Sequence, residues 1–305
     1  MIIIRIIQGP GNQMFQYAYG LAVSKRLGVE FKLDLDWFET NSSHRSYILD
    51  RFKIETPIAS KEEIEYVKTC NGRNFLEYGY NKLRNDLAPR HKKAVVKEDL
   101  SVFDENLKQP YTDSYIEGYF STEKFFDDSI ATIRHAFQFR NEMSKQVSEI
   151  ASSIDSNTVA LSIRRGDFLG NPLHNVCSLE YFQRAIEHMG TKLENPKYLV
   201  FSDEEEWVRS NMKFEVPFNV IPSMVDPMDH MRLMSLCRNH IVPNSTYSWW
   251  GAWLSNPKMV IAPDLWLTAD RGIHQKLFGH WVETVHTVPE SWIRIPARLD
   301  RETMM

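Results

Sequence analysis

From residue 158 onward, short apolar runs alternate with amphipathic stretches, and this restricts the fold more than any other feature of the 305-residue chain. Runs at 158–163, 198–201, 218–221, 241–242 and 259–262 have the length and β-branched content of strands. Helical spacing falls between them at 179–190, 227–238 and 248–255, with a short helix carrying Trp207. Such alternation implies parallel sheets with right-handed crossovers. The chain also opens in this way. A strand at 2–7 is followed by a tight turn, Gly9-Pro10-Gly11-Asn12-Gln13, a helix at 14–27 closed by Gly28, and a strand at 31–37. Residues 40–115 are charged and loop-rich, with short helices around 60–69 and 76–87. A strand at 114–120 and a helical stretch toward 137 follow, and a polar helix at 141–154 leads into the second half. These elements predict two domains, residues 1–150 and 151–305, with the boundary near 140–157.

Apolar content of 43% with 25% charged residues is ordinary for a globular protein, and a net charge of −4 gives no footprint for nucleic acid. Cys70, Cys177 and Cys237 are widely spaced and odd in number, which points to a reducing compartment. The apolar opening stops at Gln8-Gly9-Pro10, too short for a signal peptide or a membrane span, so a cytoplasmic protein is expected. The sequons Asn41-Ser42-Ser43 and Asn244-Ser245-Thr246 are then expected to carry no glycan. Arg294, Arg298 and Arg301 suggest a peripheral contact with acidic lipid at the cytoplasmic face of the membrane.

Three strand ends in the second half bring polar residues to one edge: Ser162/Arg164/Arg165/Asp167, Ser202/Asp203, and Asn244/Ser245/Thr246/Ser248. The carboxyl edge of an α/β sheet is where ligands bind. Guanidinium is planar, forked and permanently charged, and a helix N-terminus offers free N–H groups. Together they suit a diphosphate. The alternative is a solvated arginine pair bridged to Asp167 or to the Glu204–Glu206 run, with Ser245, Thr246 or Ser248 as an ordinary N-cap. Trp249, Trp250 and Trp253 have the spacing of core residues on one helix. The first turn resembles a dinucleotide-binding loop, as in an NAD-dependent oxidoreductase, but Met14 replaces its third glycine. A loop reaching a ligand through the Asn12 and Gln13 amides fits better. Asp34 and Asp36, two apart in a strand, would share a face and could hold Mn²⁺ or Mg²⁺, as a metal-dependent sugar transferase requires. The same alternation also describes a plain strand with one polar face. The histidines lack zinc-ligand spacing, and there is no GxSxG elbow.

Five stretches, in order, carry a family resemblance. They are Gly9-Pro10-Gly11-Asn12-Gln13-Met14-Phe15-Gln16-Tyr17-Ala18, Gly118-Tyr119-Phe120, Ile163-Arg164-Arg165-Gly166-Asp167-Phe168, Phe201-Ser202-Asp203, and the run from Asn244 through Trp249-Trp250-Gly251-Ala252-Trp253 to Leu254. Together they resemble the bacterial α-1,2-fucosyltransferases of glycosyltransferase family 11. The resemblance implies a GT-B-like fold, two Rossmann-like domains with parallel sheets facing across a cleft, the first on the acceptor side and the second binding the nucleotide sugar. It implies inverting transfer of fucose from GDP-fucose to O2 of a terminal galactose, with no metal, in a setting such as surface-polysaccharide assembly. It places Arg164 and Arg165 on the donor diphosphate, assisted by Ser245, Thr246 and Ser248, with Asn12 facing the donor from the first domain. Ser162 stands where the family usually has histidine, and Gln8-Gly9-Pro10-Gly11 replaces its Gly-Gly-Leu-Gly. Asp167, Asp34, Asp36, Glu117 and the leaving phosphate are the candidates to accept the acceptor's proton. A galactoside-binding protein that kept the fold without catalysis is the non-enzymatic alternative.

Overall fold

A computed structural model of the protein describes residues 1–41, 45–70, 72, 74–100, 102–212 and 216–298; Ser42 and Ser43 of the first sequon and Arg301 of the tail lie outside these. Two units are present, Met1–Asn141 and Glu142–Met305. The first runs β1 (Ile2–Arg5), α1 (Pro10–Leu27), β2 (Phe31–Asp34), α2 (Asp36–Asn41), α3 (Lys61–Lys68), α4 (Phe75–Leu87), β3 (Val95–Lys97), β4 (Ser114–Glu117) and α5 (Ile130–Ala136). Its sheet has the order β2-β1-β4-β3 and is parallel throughout. Ile2, Ile3 and Ile4 are fully buried, as a strand covered on both faces demands.

Among the boundaries that differ from expectation, two bear on the expected site residues. α1 begins at Pro10 rather than at residue 14, with Gly9 as an extended N-cap. Proline at the first helical position sacrifices an N–H that has no partner there, so the supposed turn is the helix's first coil. β2 stops at Asp34, whose Oδ1 accepts the Asp36 N–H at 2.9 Å and so starts α2. Asp34 and Asp36 therefore do not share a strand face. The left-handed Gly28, φ 65°, closes α1 as predicted.

The second unit runs α6 (Lys145–Ser152), β5 (Thr158–Ile163), α7 (Gly166–Leu169), α8 (Leu179–Gly190), β6 (Lys197–Ser202), α9 (Glu205–Asn211), β7 (Phe218–Val220), α10 (Pro227–Leu236), β8 (Asn239–Ile241), α11 (Thr246–Leu254), β9 (Met259–Pro263), α12 (Arg271–Phe278) and β10 (Ile293–Ile295). Its six strands are all parallel, in the order β10-β9-β8-β5-β6-β7. Tyr181, Phe182, Ala185, Ile186 and Met189 of α8 share one core with Val159, Leu161 and Ile163 of β5. On α11, Trp249, Trp250 and Trp253 are buried, and Trp249 Nε1 donates to the Thr287 carbonyl at 2.8 Å, so all three are core residues. α11 lies close to α10 because Gly251 has no side chain; a Cβ there would come within 2.9 Å of Met234 Cβ. No helix among the described residues is long and apolar enough to cross a membrane. Of the tail arginines, Arg294 donates to the Val285 and Val288 carbonyls, and Arg298 to those of Asn175 and Val176.

Candidate active site

In the second sheet the strands β5, β6 and β7 run outward one way from β5 while β8, β9 and β10 run the other way. The order reverses between β5 and β8, and the crevice beyond the carboxyl ends at such a switch point is the ligand site of open α/β sheets. β5 delivers Arg164 and Arg165 there, β6 delivers Asp203 and Glu204, and β8 leads to Asn244 and α11.

The arginines are held on several sides. Arg164 pairs through Nη2 with Asp167 at 2.7 Å and through Nη1 with Asp203 at 3.0 Å. Arg165 pairs through Nε with Glu204 at 2.9 Å, and its guanidinium lies over the Trp207 ring, 3.2 Å from the centroid. The Arg165 backbone N–H donates to Asp203 Oδ1 at 3.0 Å. This closeness needs Gly166, since a Cβ there would lie 2.6 Å from Asp203 Oδ2. Among the described residues Arg165 engages an acid through Nε alone, which leaves its two outer nitrogens available for an anion.

A pocket with about 420 Å³ of empty space, part of it open to solvent, lies beside this pair. Phe168, His174, Val176, Cys177, Trp207 and Asn244 are among its walls. The His174 ring stacks on Phe168, with centroids 5.1 Å apart, and its buried Nδ1 has no hydrogen-bond partner among the described residues. Burial holds this imidazole below its ordinary pKa, opposed in part by the charge of Asp167, so the neutral ring is favoured. Motif reading missed His174 and Trp207. Their only signal is position, one in the loop after Arg164-Arg165 and the other on the first helix after Asp203.

Other expected donor contacts are used inside the fold. Asn244 Nδ2 donates to the carbonyls of His174 and Trp266, both at 2.9 Å, and its Oδ1 accepts the Cys177 thiol at 3.5 Å. Its role is to hold the pocket wall. Ser162 is buried, and its hydroxyl donates to Met234 Sδ at 3.1 Å. Ser245 is the N-cap residue of α11 but makes no side-chain capping bond; Ser248 is buried, and Thr246 is half-exposed in the first turn.

In the first unit Gln13 is fully buried. Its Nε2 donates to the carbonyls of Gln8 and Ser46, and its Oε1 accepts the Ile48 N–H. Every polar atom of that amide has a partner within the unit, so Gln13 holds the loop between Gln8 and Ile48. Gln16 does the same between the Ile7 N–H and the Gly118 carbonyl. Asn12 stands half-exposed in the first turn of α1. Asp34 accepts the Tyr115 hydroxyl at 2.5 Å through Oδ2, so both its oxygens serve the fold and do not converge with Asp36 on a cation.

Two units, each built on a parallel sheet with helical crossovers, one carrying an oriented arginine pair at its switch point, give a GT-B-like fold. The chain belongs to glycosyl transferase family 11, whose model matches residues 1–282. It is 29% identical to an α-1,2-colitosyltransferase of Escherichia coli over 97% of this chain and 99% of that one. It is 28% identical to the O-antigen biosynthesis glycosyltransferase WbnK of Escherichia coli, over 86% and 93% of the two chains. Among solved structures, the Bradyrhizobium NodZ α-1,6-fucosyltransferase, from a crystal soaked with GDP-fucose, matches with a TM-score of 0.51 at 13% identity. That match covers 87% of this chain and 94% of NodZ, and it shows a shared fold.

Proposed function

We propose that the protein transfers L-fucose, or a closely related deoxyhexose, from a GDP-sugar to O2 of a terminal galactose, with inversion and without a metal ion. The observation that carries this reading is the arginine pair at the β5–β8 switch point, oriented by Asp167, Asp203 and Glu204 beside a pocket. Cleavage of the sugar–phosphate bond places negative charge on the departing GDP. Fixed guanidinium groups can stabilise that charge as it develops, the part a divalent cation plays elsewhere. Asp167 and Asp203 orient Arg164 in this scheme. The family assignment supports sugar transfer, and the colitosyltransferase supports the α-1,2 linkage and a deoxyhexose donor. The NodZ crystal soaked with GDP-fucose is consistent with a GDP-linked donor.

The test is incubation of the purified protein with GDP-fucose and lactose in the presence of EDTA, with the product linkage read by NMR. An α-1,2-fucoside is expected. Arg164→Ala and Arg165→Ala should each lower the rate about a hundredfold, or about 3 kcal/mol, with unchanged melting. A product that disappears with EDTA and returns with Mn²⁺ would refute the metal-free mechanism. Galactoside binding with no transfer from any GDP-sugar would favour a binding protein instead.

A further inference from the structure

The helix α4 is amphipathic with its polar side turned inward. Asn85 Oδ1 accepts the Ala94 N–H at 2.7 Å, and the Arg84 guanidinium lies 3.6 Å from the Tyr111 ring centroid. Leu76, Tyr80, Leu83 and Leu87 recur at alternating steps of four and three residues and so share one face. They are 81%, 68%, 60% and 78% exposed, and Phe75 at the helix start is 85% exposed. α4 buries none of its residues. A helix this short is marginal alone, and an apolar stripe left in water marks an interaction surface.

Local charge selects the partner. From Phe75 to Asp99, Lys82, Arg84, Arg90, Lys92, Lys93 and Lys97 stand against Glu77, Asp86, Glu98 and Asp99, a net +2 in a chain whose total is −4. Arg90 is paired with Asp99 and Lys97 with Glu117, while Lys82 and Lys93 make no ion pair among the described residues. A second copy meeting this face with its own would bring two cationic surfaces together. An anionic lipid surface meets both the stripe and its charge.

We propose that α4 and the basic turn after it seat the protein on an anionic bilayer. The apolar stripe enters the boundary between headgroups and acyl chains, and the lysines and arginines meet lipid phosphates. This surface is distinct from the arginine pair and does not depend on the sugar-transfer reading.

The experiment is co-sedimentation of the full chain with vesicles of phosphatidylcholine alone and of phosphatidylcholine mixed with phosphatidylglycerol. Binding should be at least about tenfold stronger to the mixed vesicles and should weaken with salt. Leu83→Ser combined with Leu87→Ser should cost about tenfold or more. Lys82→Gln and Lys93→Gln should each cost about fivefold. Because the two leucines are exposed, the melting temperature should not move, which separates lost binding from lost folding. Wild-type protein that stays in the supernatant, or leucine variants that pellet as well as wild type, would overturn the proposal. So would a dimer in sedimentation velocity that Leu83→Ser dissociates while the vesicles leave the protein in solution, since the face would then be a self-interface.

Discussion

Glu98 follows β3 and turns its carboxylate toward the end of β4, where Oε2 accepts the N–H groups of Tyr119 and Phe120 at 2.6 and 2.9 Å. Phe120 is left-handed, φ 49°, an unusual state for a bulky residue. These bonds and the stacking of its ring on Tyr19, 3.7 Å between centroids, hold it there. Burial nevertheless outweighs the two N–H donors and pushes the Glu98 carboxyl up to about 7. Folding therefore favours the protonated acid. Below the ordinary carboxyl range both folded and unfolded chains hold the proton, and this group is neutral toward stability. Between about 4.5 and about 7 only the folded chain keeps it, so stability falls as pH rises, and above about 7 the full penalty remains. Glu98→Gln retains an acceptor for both N–H groups without the charge. It should raise the melting temperature at pH 8 and leave it unchanged at pH 4, a difference on the order of 1–3 kcal/mol. Melting curves of both proteins across that range decide it; a gap that does not vary with pH would refute the assignment.

At the scale of elements, Asn244 joins three segments, the end of β8, the His174–Cys177 loop and the Trp266 turn, through one buried amide. Asn244→Ala strands two carbonyls without donors and should cost about 2–4 kcal/mol of stability, checked by urea unfolding. It should also weaken nucleotide binding by loosening the pocket wall; loss of binding with full stability would instead make Asn244 a ligand contact. The chain's own pattern showed most of this framework. β5 and α8 follow from unbroken β-branched and amphipathic runs, and their observed bounds agree with the expected ones. The three-residue strands β3 and β10 were not expected, because their pairing is set by neighbours distant in sequence and they lack the strand–helix alternation that marked the equally short β7 and β8. The same limit applies to the site. Arg164 and Arg165 announce themselves by charge at a strand's end, whereas Gln13 and Asn244 carry polar side chains that could serve either a ligand or the backbone. Which one they serve depends on carbonyls brought in from Ser46, His174 and Trp266, and local sequence does not contain that information.

For the whole molecule, every contact described around the arginine pair is made within Glu142–Met305, from Asp203 and Glu204 on one side to the Asn244 tie on the other. That unit has its own six-stranded sheet and its own core, with Tyr181, Tyr198, Val200 and Ile241 packed around β5. Its size falls within the range of self-sufficient domains. α6 packs on α10 and so belongs to it. Residues 142–305 expressed alone should therefore melt cooperatively and bind GDP, with Arg165→Ala weakening that binding about a hundredfold. Calorimetry on the fragment and its variant tests both statements. A folded fragment with no affinity for GDP would mean that the arginine cradle alone does not hold the diphosphate, and donor recognition would then have to include groups from Met1–Asn141, with Asn12 the first to examine. Binding that survives Arg165→Ala would place the nucleotide elsewhere on the second sheet and remove the ground on which the charge-stabilising role of the pair rests.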